Sequence, residues 1–267
     1  MRTGEMHEAN RRYWDTATPR WRELDEEDWR KCPEQPSIAF EGNALEMIHE
    51  FVGTLAGKPV CVPGSGDNYA AFALAGLGAV VTSVDISEQR LRVAEERNAI
   101  LGLDIGFMRS DAADLTSTPD SRYELVCSTN GFFVWIADLI RLYSEISRVL
   151  RPGGYYIFWD VHPFMRPWKN QRMLEMEKPY FQAGPIRSEE QGQTTYQFHW
   201  TLSDIINSLL EAGLVLRRIL ETTAQDSRFW EGASYGKGSD NSLLDWKNNP
   251  RAGLPTWLTI VAQKPST

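Results

Sequence analysis

From Lys58 onward the chain alternates short apolar runs with stretches of helical period. Residues 59–62 read as a strand, followed by a glycine turn and an alanine-rich helix over 68–75 that Gly76 and Gly78 bracket. Residues 79–84 form a second β-branched run. Ser87 is placed to cap a helix over Glu88–Leu101 that stops at Gly102. Further strands are predicted over 104–109, 123–129 and 155–161, with a helix over 136–150 that Pro152-Gly153-Gly154 ends by turning the chain back. Strands that are apolar throughout and alternate with helices imply a parallel sheet covered on both faces. The expectation is a doubly wound, Rossmann-like α/β core with right-handed crossovers.

Two regions fall outside that alternation. Residues 1–55 are helical in pattern and rich in tryptophan and charge, with Pro33 and Pro36 ahead of a second helix near 42–55. They read as a helical cap and not as core, leaving 56–267 as the main domain. A polar and aromatic insertion covers about 162–200. After it, Thr201 with Asp204 resembles a capping box opening a helix over 202–212. The last two strands, 214–221 and 256–263, are separated by an insertion over about 223–254 rich in Gly, Ser and Asn.

Composition narrows the function classes. The 267 residues, 42% of them hydrophobic, suffice for a sizeable core. With 28 basic and 36 acidic residues the net charge is −8, and no basic run follows a phosphate backbone, so nucleic acid is not expected as a partner. Cys32, Cys61 and Cys127 lack metal-ligand spacing and read as reduced core residues; no catalytic metal is expected. No apolar run of about 18 residues occurs, and no apolar signal segment follows Met1-Arg2-Thr3. A cytoplasmic protein without a membrane span is the expectation. Nothing in the sequence specifies an oligomeric state.

In an open parallel sheet, ligands sit beyond the carboxyl ends of the strands where the strand order reverses. Every predicted strand here ends in groups suited to that place. Gly64-Ser65-Gly66 follows the first and leaves the backbone free to approach a ligand. Asp85 ends the second, 21 residues beyond Gly64, near the spacing of about 20 expected for an acid that binds ribose hydroxyls. Asp111-Ala112-Ala113-Asp114 follows the third, Ser128-Thr129-Asn130-Gly131 the fourth and Asp160-Val161-His162 the fifth. Singly, each fits a plain turn or a solvated acid equally well. Together and in order they point to a nucleotide-type cofactor. A nicotinamide dinucleotide competes for this pattern, but Tyr69 stands where its fingerprint wants a third small residue.

These residues resemble the class I S-adenosylmethionine-dependent methyltransferases, in the branch of small-molecule enzymes that includes those of ubiquinone and menaquinone biosynthesis. The resemblance spans roughly 10–264. It rests on Tyr13-Trp14-Asp15, the glycine loop, Val84-Asp85-Ile86-Ser87, Asp111 to Leu115, Leu125 to Ser128 and above all Ile146 to Gly154. It implies a seven-stranded sheet whose last strand, 256–263, runs antiparallel. It implies further that the cofactor's methionine lies against the loop from Pro63 through Gly64, Ser65 and Gly66 to Asp67 and Asn68. Asp85 would hold the ribose hydroxyls, Asp111 the adenine amino group, Ile86 the ring face, and Ala112, beside Ala113, would offer a backbone amide. Asn130 would add a polar contact, and Tyr13 and Trp14 would close the leading helix over the cofactor. One departure stands out: Val60 and Val62 occupy the positions of the family's acid and first glycine. Asp67 or Asn68 is placed to replace the acid.

Methyl transfer from a sulfonium depends chiefly on alignment, and a general base is needed only for an acceptor protonated at neutral pH. His162 is the candidate base; it reads equally as a histidine held by local hydrogen bonds beside Pro163. Trp135, His162 and Tyr196 are the substrate-side candidates. In 195–200, alternation would put Tyr196, Phe198 and Trp200 on one face and His199 on the other. His7 and His49 read as surface or packing residues. Residues 131–135 lack the Asn/Asp-Pro-Pro-aromatic signature of enzymes that methylate base or glutamine amino groups. The resulting expectation is transfer to a small, partly hydrophobic or aromatic acceptor, with S-adenosylhomocysteine as product. A protein that binds the cofactor without transfer, and a nicotinamide-linked oxidoreductase, are the alternatives.

Overall fold

A computed structural model of the chain describes residues 2–25 and 27–266; Met1, Glu26 and Thr267, which the expected 1–55 and 56–267 segments include, lie outside the described residues. The sheet is built from β1 (Pro59–Pro63), β2 (Val80–Asp85), β3 (Ile105–Arg109), β4 (Tyr123–Ser128), β5 (Leu150–Val161), β8 (Val215–Thr222) and β9 (Trp257–Gln263). Its order is β3-β2-β1-β4-β5-β9-β8. The first five strands pair in parallel, and β9 runs antiparallel between β5 and β8. Chain order reverses at β1, which has β2 on one side and β4 on the other, and so opens a crevice at their carboxyl ends.

Strand periodicity divides the core into two layers. On one face Val60 and Val62 pack with Leu125, Cys127 and Ile157 under α3 (Tyr69–Gly76). On the other, Cys61, Val126, Tyr156 and Phe158 pack under α5 (Leu139–Val149) and α6 (Leu202–Glu211). The three cysteines are buried and free. Ser87 caps α4 (Glu88–Leu101) by accepting the Arg90 N–H, and Gly102 ends it in the left-handed conformation. Thr201 and Asp204 form a complete capping box at α6.

Three local expectations differ from the structure. The fifth helix begins at Leu139, where Asp138 accepts the Arg141 N–H, three residues later than predicted. No turn separates it from the next strand: β5 starts at Leu150 and runs through Pro152-Gly153-Gly154. A register shift between Tyr123 and Leu125 absorbs the irregularity, and Gly154 fits because a Cβ would meet three carbonyl oxygens at 3.0–3.2 Å. The region from Trp29 to Leu55 belongs to the core and does not cap it. Here α2 (Ala44–Phe51) buries Ala44, Met47 and Ile48, a helical stripe whose apolar area is covered by packing against the sheet layer.

What does lie across the crevice is α1 (Thr3–Leu24), which buries Met6, Ala9, Tyr13 and Ala17. It packs against a hairpin of β6 (Ile186–Glu190) and β7 (Gln193–Gln197) inside the first insertion. Among the described residues, no helix is long and apolar enough to cross a membrane.

Candidate active site

The carboxyl ends of β1 to β5, α1 and the second insertion enclose a cavity of about 580 Å³, within the range of small-molecule sites. Its floor is the loop after β1. Gly64 and Gly66 both have φ near +60° (61° and 53°), a region that favours glycine, yet they differ in surroundings. A Cβ on Gly64 would overlap the Phe132 ring, whereas one on Gly66 would meet only the Gly64 carbonyl, at 3.9 Å. Gly66 is therefore where a ligand can reach the backbone. The Asp85 carboxylate accepts the N–H groups of Gly66 (2.9 Å) and Ser87 (2.8 Å). Burial pushes its pKa up, against those two bonds. Asp67 also lines the cavity, and burial raises its pKa too.

Beyond β3, Asp111 is already engaged. One oxygen accepts from His7 Nδ1 at 2.6 Å and the other from the Ala113 N–H at 2.9 Å. His7 Nε2 accepts the Ala137 N–H at 2.8 Å, so the proton is on Nδ1. Burial works to raise the Asp111 carboxyl, but the hydrogen bonds from His7 and from the Ala113 N–H outweigh it and hold the pKa low. The helix is fastened twice more. Asn10 exchanges two 2.8 Å bonds with the backbone of Tyr196, and Asp15 accepts from Ser87 Oγ at 2.7 Å. Trp14 faces the cavity, with the Arg90 guanidinium 4.7 Å from its ring centroid.

Of the sequence-predicted residues, Gly64, Ser65, Gly66, Asp67, Asp85, Ile86, Asp111, Ala112, Asn130, Trp14 and Trp135 meet around this one cavity. Six others do not line it. Pro63 is buried at the end of β1. Asn68 adopts φ 66° and is consumed by the loop: its Nδ2 donates to the Gly66 carbonyl and its Oδ1 accepts from Ser83. Ala113 spends its N–H on Asp111. Tyr13 stacks on Trp135 behind the cavity wall, with its hydroxyl pushed up to about 12 by burial and by Glu190. Tyr196 contributes backbone to Asn10. His162 is fully buried; its Nδ1 accepts the Phe164 N–H and its Nε2 donates to Glu221, which leaves no free nitrogen for a substrate. The local-hydrogen-bond reading of His162 replaces that of a base.

Sequence reasoning missed several groups. His7, expected at the surface or in packing, clasps Asp111. Arg166, Gln171 and Arg228 come from the insertions, where no periodicity announces them. Asp160 is buried and gathers the N–H groups of Gly131, Phe133 and Val161 together with Arg166. Its place at a strand end was the only signal. Among the described residues, no cluster of His, Cys, Asp and Glu could hold a metal ion.

The sequence pattern of a methyltransferase domain family matches residues 62–158, the stretch from β1 into β5 that supplies most of the cavity floor. That match falls on a sheet in which β9 is reversed between β5 and β8. Residues 62–158 thus carry a methyltransferase domain, and the likenesses support a class I S-adenosylmethionine-dependent methyltransferase. It is similar to a fatty-acid O-methyltransferase of Mycolicibacterium smegmatis, 31% identical over 103 residues that cover 39% of this chain and 35% of that protein. A ubiquinone biosynthesis O-methyltransferase of Bordetella avium is 25% identical over 124 residues, 46% of this chain and 51% of that one. The matched stretches thus span between about a third and a half of those relatives. An S-adenosylmethionine-dependent methyltransferase structure from Mesorhizobium loti shares the fold, with a TM-score of 0.58 and 19% identity over 82% of this chain and 96% of that chain. These likenesses favour neither the nicotinamide reading nor the reading without transfer.

Proposed function

We propose that this protein transfers a methyl group from S-adenosylmethionine to a small, partly hydrophobic or aromatic acceptor, with S-adenosylhomocysteine as product. The observation that carries the reading is the pairing of a buried carboxylate, Asp85, with the N–H of Gly66, a left-handed glycine whose Cα faces open cavity. When bound, the cofactor supplies an electrophilic methyl group on a sulfonium. Asp85 accepts the ribose hydroxyls, and the backbone of Ser65 to Asp67 receives the methionine part. Asp67 lines the cavity and takes the role of the acid missing at Val60. Ile86 and Ala112 bound the adenine, Asp111 accepts from its amino group through lone pairs that His7 and Ala113 leave free, and Asn130 adds a polar contact. Trp14 excludes water from above, and Trp135 stands on the substrate side.

These residues accelerate an in-line displacement by holding the reactants aligned. Neither His7 nor His162 has a free nitrogen and His199 does not line the cavity, so an acceptor already ionised at neutral pH suits the site best. The O-methyltransferase names of both relatives favour an oxygen nucleophile. Three buried free thiols fit a reducing compartment, and we place the protein in the cytoplasm.

Calorimetry with S-adenosylmethionine, S-adenosylhomocysteine and NAD tests the cofactor, and acceptor-dependent release of S-adenosylhomocysteine from a panel of phenols, amines and acids tests the reaction. Preference for NAD would overturn the cofactor assignment. Tight cofactor binding with no release from any acceptor would leave a binding protein.

A further inference from the structure

The part of the cavity formed by the end of β5 and the start of β9 is walled by Trp159, Trp257 and Phe229. Its charge balance is uneven. Arg228 is matched there: it donates to Glu41 and to the Gly236 carbonyl. Arg166 is not. Its side chain is 23% exposed, lines the cavity and makes one hydrogen bond among the described residues, from Nη2 to Asp160 Oδ1 at 3.2 Å. A guanidinium has five N–H donors. Asp160 takes only one of them: Oδ1 is already shared with the N–H groups of Gly131 and Val161, and Oδ2 accepts from Phe133 N–H. Lys178, from the same insertion, spends its Nζ on the Pro179 and Gln182 carbonyls. Burial and the charges of Arg166 and Lys178 hold nearby His199 neutral, its pKa lowered to about 3, so it adds no competing charge. The Trp159 and Trp257 rings supply apolar surface, with their indole N–H groups buried away from the cavity. The cavity thus joins apolar walls at Trp159, Trp257 and Phe229 to a guanidinium, Arg166, with donors unspent.

We infer that Arg166 receives a carboxylate of the methyl acceptor, so that the substrates are hydrophobic or aromatic carboxylic acids. The inference rests on the proposed methyl transfer, because it assigns the acceptor side of that site. A carboxylate there pairs with a guanidinium in a partly desolvated place, where charge-assisted hydrogen bonds are strongest.

The test is calorimetry on the full chain saturated with S-adenosylhomocysteine, using octanoate against octanamide and 3-phenylpropanoate against its amide. At least one acid is expected to bind roughly tenfold to hundredfold tighter than its amide, the range of one charge-assisted hydrogen bond. Arg166→Gln is expected to erase that preference and Arg166→Lys to keep part of it, with S-adenosylhomocysteine still bound by both. Equal binding of acid and amide by the unmodified protein overturns the inference, as does failure of both acids to bind. Acid preference that survives in Arg166→Gln does the same. The comparison on unmodified protein stands even if Arg166→Gln does not fold. Failure of S-adenosylhomocysteine itself to bind would instead refute the methyltransferase reading.

Discussion

Replacing Asp85 by Asn separates a functional role from a structural one. Asn keeps the shape and one carbonyl oxygen, so it retains one of the two backbone bonds to Gly66 and Ser87 and loses the other. A lost neutral-range bond costs about 1 kcal/mol. Against it stands the relief of burial. Because burial raises the folded-state pKa of Asp85, its contribution to stability is fully present below the unfolded carboxyl value, about 3.9, and is lost as pH rises through the raised value. At neutral pH the buried charge is therefore a cost that Asn removes. The two effects oppose each other, and Tm should move by no more than roughly 2–4 °C. Cofactor binding has no such compensation: each ribose hydroxyl loses a charged acceptor, worth about 1.5–3 kcal/mol, or roughly tenfold to hundredfold in Kd. Calorimetry with S-adenosylhomocysteine, beside thermal melts at pH 5 and pH 8, measures both. Unchanged affinity would remove Asp85 from the ribose site. A large fall in Tm at pH 8 would show that its charge holds the loop together and that the burial argument is wrong.

Further outcomes follow from the same geometry. Gly66→Ala should fold, paying roughly 1–2 kcal/mol for the left-handed backbone, and should bind S-adenosylhomocysteine poorly; Gly64→Ala, which drives into Phe132, should lower the yield of folded protein, as read by melts. His162→Gln should leave the pH profile of turnover unchanged while costing about 1–3 kcal/mol of stability, since Phe164 N–H and Glu221 lose a buried partner. His7→Ala should free the Asp111 carboxyl to titrate higher. The low pKa of Asp111 contributes stability present above the unfolded carboxyl value and lost as pH falls through the lowered one, so a pH series of melts should show the difference between variant and parent fade toward pH 2.

The parts of the fold that repeat a local rule were legible in the sequence: apolar strands, Ser87 and Gly102 at the ends of α4, the Thr201 and Asp204 box. So was the meeting of Gly66, Asp85 and Asp111, because strand ends in a doubly wound sheet converge whatever lies between them. Long-range partners were not. His7 lies 104 residues from Asp111, and nothing near it in sequence records that neighbour. Arg166 and Arg228 sit in irregular insertions whose paths depend on packing. Asn68 misled for the opposite reason: a polar side chain beside a glycine loop suits a ligand and suits the loop itself, and here Ser83 and the Gly66 carbonyl claimed it. The Pro152-Gly153-Gly154 turn failed because glycine also lets a strand bulge.

The clasps of α1 bear on timing. His7, Asn10 and Asp15 grip three separate parts of the rim: the loops after β3 and β4, the β6–β7 hairpin and the start of α4. Release of a ligand held beneath the helix is expected to require all three to let go together, which would tie turnover to the opening of α1. Amide hydrogen exchange along residues 3–24 should then keep the same clock as product release.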